Sequence, residues 1–128
     1  MHPNERLVRN AYEAFARRDI AAVMGLLSDG IEFLIPGTSI QSGRFTGKEE
    51  VARYFSIVAE HTGGTHRVEV IDVLASDVRA VGLLRALGKH DADVFDMTVV
   101  HLWRLSDGQA TELSIIPTDQ YAFDAFWS

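Results

Sequence analysis

The chain predicts an α+β fold, with helices first and consecutive antiparallel strands after them. Three observations carry this. Apolar residues recur with a helical period as far as Gly63-Gly64. Past that pair the period becomes strictly alternating. Turn chemistry at Ser76-Asp77, His90-Asp91 and Asp107-Gly108 then divides the alternating half into four strands. A long curved, mainly antiparallel sheet packed on three N-terminal helices leaves a conical space between the layers. That space is either filled by side chains or kept open as a pocket.

The first helix is expected to start at Asn4 as N-cap, with Leu7, Ala11, Ala14 and Phe15 in one apolar stripe and Val8 and Tyr12 on its flank. Glu5 with Arg9, and Glu13 with Arg17, are i,i+4 pairs that mark the solvated side. Asp19 caps a short second helix carrying Ile20, Val23, Leu26 and Leu27, ending near Asp29-Gly30. Ile31 to Ile35 reads as a short strand, followed by a loop punctuated by Pro36, Gly37, Ser42 and Gly43. Thr46-Gly47-Lys48-Glu49 is a capping box that opens a third helix, with Val51, Tyr54, Phe55 and Val58 as its apolar positions.

The four strands are Val68 to Leu74, Val78 to Leu87, Val94 to Leu105 and Ala110 to Ile116. The tail from Asp119 to Trp127 forms a helical turn or two capped by Asp119, with Phe123, Phe126 and Trp127 on one side. This aromatic tail either closes the cone or packs on a partner subunit.

At 128 residues the chain is expected to be one domain over 1–128. A net charge of −6, with Arg6, Arg9, Arg17 and Arg18 interleaved with acids, argues against a nucleic-acid partner. The absence of cysteine excludes disulfides, thiolate catalysis and cysteine zinc sites. No metal site is predicted: His61, His66, His90 and His101 lack paired spacing with a carboxylate. Asp91-Ala92-Asp93 with Asp96 lacks the glycine and distal glutamate of a calcium loop. No apolar run approaches the ~18 residues of a membrane span. Met-His-Pro-Asn-Glu-Arg has no apolar signal core, so a cytoplasmic protein with no membrane partner is expected.

One face of the strand from Val94 to Leu105 reads Phe95, Met97, Val99, His101, Trp103, Leu105. His101 is the only ionisable group in that stripe. A buried imidazole needs a hydrogen-bond partner, since burying it unpaired costs roughly 2–7 kcal/mol. Two readings stand: a hydrogen-bonded core histidine, or a catalytic or ligand-orienting group. Its ring is expected to point into the cone and to stay neutral at pH 7, because Met97, Val99 and Trp103 disfavour the charged form by desolvation. Ala80 and Gly82 share a strand face with Leu84 and Ala86; these small residues either keep a cavity open or make room for Trp103 and Phe33.

The stretch Leu7-Val8-Arg9-Asn10-Ala11-Tyr12-Glu13-Ala14-Phe15-Ala16-Arg17-Arg18-Asp19 leads into Asp29-Gly30-Ile31-Glu32-Phe33. Gly43-Arg44-Phe45-Thr46-Gly47-Lys48-Glu49-Glu50, His101-Leu102-Trp103-Arg104-Leu105-Ser106-Asp107-Gly108 and Asp119 follow. Together they resemble the SnoaL-like branch of the nuclear transport factor 2 superfamily, over nearly the whole chain. The resemblance implies a cone-shaped α+β roll of nuclear transport factor 2-like or cystatin-like type. Its members include isomerases, polyketide cyclases, dehydratases, epoxide hydrolases and proteins that only bind. Measured against ketosteroid isomerases, Ile35 before Pro36 stands where their Asp base would be. Ala11 stands at their tyrosine, and His101 falls near their protonated Asp. Measured against limonene-epoxide hydrolases, Ala80, Gly82 and Ile116 replace the catalytic Arg and Asp residues. Both carboxylate sets are missing.

The resemblance therefore implies a cofactor-independent isomerase, cyclase or dehydratase acting on a hydrophobic carbonyl compound. His101 would be its proton shuttle or its hydrogen-bond donor to a developing enolate. Phe33, Tyr54, Phe55, Leu84, Met97, Val99, Trp103 and Ile116 are expected to line the pocket, with Ser114 and Thr118 as donors on the Ile116 face. Tyr12 or Tyr54 is a second donor if its hydroxyl points inward. The alternative is a non-catalytic ligand-binding or dimerisation module of the same fold. A homodimer is expected through the outer sheet face, where Val94, Val100, Leu102, Val81 and Leu83 are more apolar than solvation requires.

Overall fold

Ten elements follow one another along the computed structural model, which describes Met1–Ser128. They are α1 (Pro3–Ala16), α2 (Ile20–Gly25), β1 (Leu27–Ile35), β2 (Gly43–Thr46), α3 (Gly47–Thr62), β3 (Arg67–Ala75), β4 (Arg79–His90), β5 (Asp93–Ser106), β6 (Gln109–Pro117) and α4 (Gln120–Phe126). The helices-then-strands order and all three late turns match the sequence reading, with differences at the element ends.

The N-cap of α1 is His2 rather than Asn4. Its Nδ1 accepts the Asn4 N–H at 3.0 Å, and Pro3 takes the first helical position, where a missing N–H costs nothing. The Asn4 amide instead donates to the carbonyls of Ser76 and Asp77, tying α1 to the β3–β4 turn. Asp19 caps α2 as expected, accepting the Ala22 N–H at 3.0 Å. α2 stops at Gly25, and Leu27 already pairs with Ala110 of β6, so Asp29-Gly30 lies inside β1 and not at a helix end.

β2 falls in a segment expected to be loop. Its four residues carry one inward apolar side chain, Phe45, too short a run for a period-two signal. The capping box also shifts by one residue. Gly47 has φ +85°, outside the helical well, so Glu50 and not Glu49 sits third in the first turn. Glu50 accepts the Thr46 N–H at 2.8 Å, and the Thr46 hydroxyl makes no cap bond.

The strands form one curved sheet in the order β2-β1-β6-β5-β4-β3. Only the β1–β6 pair is parallel. β4 and β5 pair without interruption from Arg79↔Arg104 to His90↔Asp93. The inner face holds Ala80, Gly82, Leu84 and Ala86 from β4, Phe95, Val99, Trp103 and Leu105 from β5, and Leu113 and Ile115 from β6. α1 lies across β3 and β4, and α3 across β1. No helix is long and apolar enough to cross a membrane.

The aromatic tail closes the cone. Phe123 and Phe126 are buried against Phe95, with ring centroids 6.0 and 4.9 Å from it. The His61 ring donates through Nε2 to the Phe126 carbonyl at 2.6 Å, and His90 stacks on His61 at 3.8 Å. The Trp127 carbonyl accepts the Ile40 N–H at 2.9 Å, and the indole is 1 % exposed. Its Nε1 is the one buried side-chain polar atom without a hydrogen-bond partner. Ring packing, and not that nitrogen, therefore holds the tail. Trp127→Ala is expected to cost about 3–5 kcal/mol, whereas Trp127→Phe, which loses some volume but also an unpaired donor, changes stability by under about 1.5 kcal/mol. Chemical denaturation of both variants checks this; equal losses would show that the indole nitrogen anchors the tail.

Candidate functional site

The two layers do not fill the cone. A cavity of about 80 Å³ remains between the inner sheet face and the helices, lined by 20 residues of which 17 are hydrophobic. Buried Phe33, Tyr54, Trp103 and Trp127 form its inner walls. Half-buried Phe15 and Phe55, with ring centroids 5.9 Å apart, join α1 to α3 along it. No Asp, Glu, Lys or Arg is among the lining residues. Its polar groups are Gln41, the imidazoles of His66 and His101, the hydroxyls of Tyr12 and Tyr54, and the two indoles.

A hydrogen-bonded chain crosses from β5 to α1 and back. Trp103 Nε1–H donates to Tyr12 Oη at 2.9 Å, and Tyr12 Oη lies 3.0 Å from His101 Nδ1. An indole nitrogen only donates. The Tyr12 hydrogen then has one acceptor in reach, His101 Nδ1, and the imidazole proton resides on Nε2. Nε2 has no protein partner. Gly82, paired with His101 across β4 and β5, makes this possible: a Cβ there would stand 2.2 Å from Tyr12 Oη. Gly82 thus admits Tyr12, and Ala86 lines the cavity that stays open beside it, the first of the two alternatives for these small residues.

Enclosure by Tyr12, Trp103 and apolar wall strips water from a charged ring. It pulls the His101 pKa down to about 3, with a smaller contribution from nearby His66. Half-buried His66 is desolvated in the same way and falls to about 4, although its Nδ1–H donates to the Leu87 carbonyl at 3.0 Å, which favours the charged ring. The Arg18 charge opposes protonation further. Burial also pushes both Tyr12 and Tyr54 well above the usual phenol range. Every titratable group on the cavity is therefore neutral at pH 7.

Of the residues expected here, Phe33, Tyr54, Phe55, Val99, His101 and Trp103 line the cavity, and Tyr12 points inward. Five expected residues do not. Leu84 is fully buried in the core away from the cavity, and Met97 packs half-buried against that core. Ser114 and Ile116 face the opposite side of the sheet, because β6 turns Leu113 and Ile115 inward. Thr118 is exposed past the strand end, its hydroxyl donating to the Thr98 carbonyl.

His66 was not anticipated. It lies three residues past Gly63, where the helical period has ended and the alternating one has not begun. Gln41, in a loop without periodicity, was equally invisible. No group of three or more His, Asp or Glu side chains is arranged to hold a metal ion.

Comparison with known proteins agrees with this architecture. The uncharacterised protein Rv0034 of Mycobacterium tuberculosis (strain H37Rv) is 29 % identical over 123 residues, covering 95 % of this chain and 94 % of that one. Bal32a, from a soil-derived mobile gene cassette, superposes with a TM-score of 0.94 at 27 % identity, covering 98 % of this chain and 97 % of its own. TerC, co-crystallised with polyporic acid, superposes with a TM-score of 0.87 at 22 % identity over 98 % of each chain. The SnoaL-like domain model matches residues 8–113, and the chain belongs to the SnoaL-like domain family.

Proposed function

We propose that this protein is a cofactor-independent enzyme of proton-transfer chemistry. It would isomerise, cyclise or dehydrate an uncharged hydrophobic carbonyl compound in the cavity. The observation that carries this reading is the Trp103–Tyr12–His101 chain. A histidine bonded only to backbone would need no second side chain to set its tautomer. Here Tyr12 fixes Nδ1 as acceptor and leaves Nε2–H free to donate to a carbonyl oxygen. With a pKa near 3, His101 does not shuttle protons at neutral pH; it acts as a neutral electrophile that stabilises a developing enolate. A lining without ionised groups supports an uncharged substrate.

The size of the cavity bounds the substrate. An apolar cavity of about 150 Å³ holds benzene. The space here, about 80 Å³, takes a group of a few atoms as it stands, and a ring requires lining side chains to give way. The co-crystal of TerC with polyporic acid supports ligand binding in this fold. The missing carboxylates favour a second reading, a module that holds an apolar ligand without turning it over. A homodimer belongs to either reading, as does a cytoplasmic location. Outer-face residues Val81, Leu83, Val100, Leu102 and Ile116 align across β4, β5 and β6, and Leu102 and Ile116 are 37 % and 45 % exposed.

Three outcomes are expected. First, the protein accelerates conversion of 3-cyclohexenone to its conjugated isomer, followed by ultraviolet absorbance. His101→Ala lowers that rate roughly 10²–10³-fold and Tyr12→Phe lowers it less. Binding of the ketone without turnover in the wild type would favour the holding module. Second, stability depends on the two imidazoles. Both folded pKa values lie below the unfolded value of about 6.5, so the unfolded chain binds more protons below that pH. Stability is complete above pH 6.5 and falls as pH drops through about 4 and about 3, by up to about 1.4 kcal/mol per pH unit for each ring. Denaturation of wild type and His101→Phe across pH 7 to 4 should differ in slope; identical slopes would contradict a buried neutral His101. Third, light scattering should give twice the 14.2 kDa chain mass, and Leu102→Glu should give the monomer. A wild-type monomer at micromolar concentration would refute the interface.

A further inference from the structure

We infer that His66 is the proton acceptor of this cavity, paired with His101 as hydrogen-bond donor. The inference rests on the reading above of the cavity as a site for a carbonyl compound, and adds the base that reading lacks.

The argument begins with the missing carboxylates. No Asp or Glu lines the cavity, so a proton leaving a carbon next to a carbonyl has no acid residue to receive it. Tyr12 and Tyr54 are held protonated by burial, and the Tyr12 hydrogen is directed at His101. His101 itself presents a proton on Nε2 and has its lone pair on Nδ1 engaged by Tyr12. The lining then contains one basic lone pair without a partner, on His66 Nε2.

The tautomer of His66 is set by the backbone. A carbonyl oxygen only accepts, so the 3.0 Å contact between His66 Nδ1 and the Leu87 carbonyl puts the proton on Nδ1. Nε2 carries the lone pair. The only sealed, unpartnered side-chain polar atom in the molecule is Trp127 Nε1, so His66 Nε2 is neither hydrogen-bonded nor sealed. The ring is held between two aromatic neighbours. Phe15 and Trp127 meet it edge-on at 6.0 and 5.5 Å. Arg18 donates to the His66 carbonyl and fixes the segment from outside.

The two rings are thus opposite in polarity within one apolar cavity: His101 Nε2–H donates and His66 Nε2 accepts. In a β,γ-unsaturated ketone, His66 Nε2 takes the proton from the carbon between the carbonyl and the double bond. The C–H electron pair forms a carbon–carbon double bond, and the carbonyl π pair moves onto oxygen. The resulting oxyanion accepts the His101 Nε2 hydrogen bond, and its negative charge favours the His66 imidazolium while it lasts. His66 then returns its proton to the γ-carbon and the carbonyl re-forms. No oxidant, reductant or co-reactant is consumed. A neutral imidazole titrating near 4 has a basicity close to that of the Asp base of ketosteroid isomerase, about 4.6.

His66→Asn separates base from scaffold. The Asn amide can still donate to the Leu87 carbonyl, as Nδ1 does, but offers no basic nitrogen. The test uses 3-cyclohexenone in D2O, reading both conjugation and deuterium incorporation by NMR, with folding of each variant checked by circular dichroism and ketone binding by titration. The expected result is a loss of roughly 10²–10⁴-fold in both rates for His66→Asn, with binding retained. His66→Gln, whose amide reaches toward the Nε2 position without basicity, should be equally slow. Should either variant retain wild-type rates while His101→Ala is slow, His66 is not the base, although the carbonyl reading survives. If the wild type itself neither conjugates the ketone nor exchanges its protons, the carbonyl reading fails and this inference fails with it.

Discussion

A one-residue slip in the pairing of β5 would turn Phe95, Val99, His101 and Trp103 out of the cone at once. Everything else in the molecule depends on that register. β5 is held from both sides, by β4 from Asp93 to Arg104 and by β6 from Val99 to Ser106, so neither neighbour can shift without the other. The hairpin turns reinforce it. Asp91, Asp107 and Gly108 all adopt positive φ, which suits the tight connections on either end of the strand. With β5 locked, Trp103 and His101 stand two residues apart on one face, and a hydroxyl from α1 can bridge them.

Packing and chemistry meet at that bridge. Tyr12 enters the sheet face only because Gly82 has no side chain opposite His101. Its hydroxyl satisfies the Trp103 indole, which would otherwise be a buried unpaired donor. The same hydroxyl fixes the His101 tautomer. One oxygen therefore serves stability and orientation together. Burial, with no carboxylate lining the cavity and Arg18 opposing a charge on His66, then holds both imidazoles neutral, so the cavity polarises by hydrogen bonding rather than by charge. A carboxylate in this enclosure would face a strong desolvation penalty, and two neutral rings avoid it.

The closing of the cone depends on the tail. α4 is short and derives its place from aromatic contacts with Phe95 and from the His61 hydrogen bond to the Phe126 carbonyl. Trp127 becomes part of the cavity wall, and a partner subunit is not needed to seal that end. The outer face of the sheet has no such cover. Its apolar side chains lie opposite the stripe that builds the cavity, so the alternation that forms the site also produces the exposed face.

Much of this was legible in the chain. The change from helical to alternating period at Gly63-Gly64, the three turns and the Phe95–Leu105 stripe determined the element order, the inward face of β5 and the place of His101. These are local properties: side-chain direction follows from a period of two, and turn residues act within four positions. Tertiary structure alone decided the rest. β2 exists because β1 offers an edge, which four residues cannot signal. β6 faces inward through Leu113 and Ile115, and not through Ile116, because its phase is set by pairing with β5 rather than by its own apolar content, which is nearly equal on both faces. Tyr12 joins His101 across 89 positions of sequence, and His66 faces the same cavity from a segment with no periodicity at all. Contacts between distant elements depend on how layers stack, and no window of sequence contains that distance.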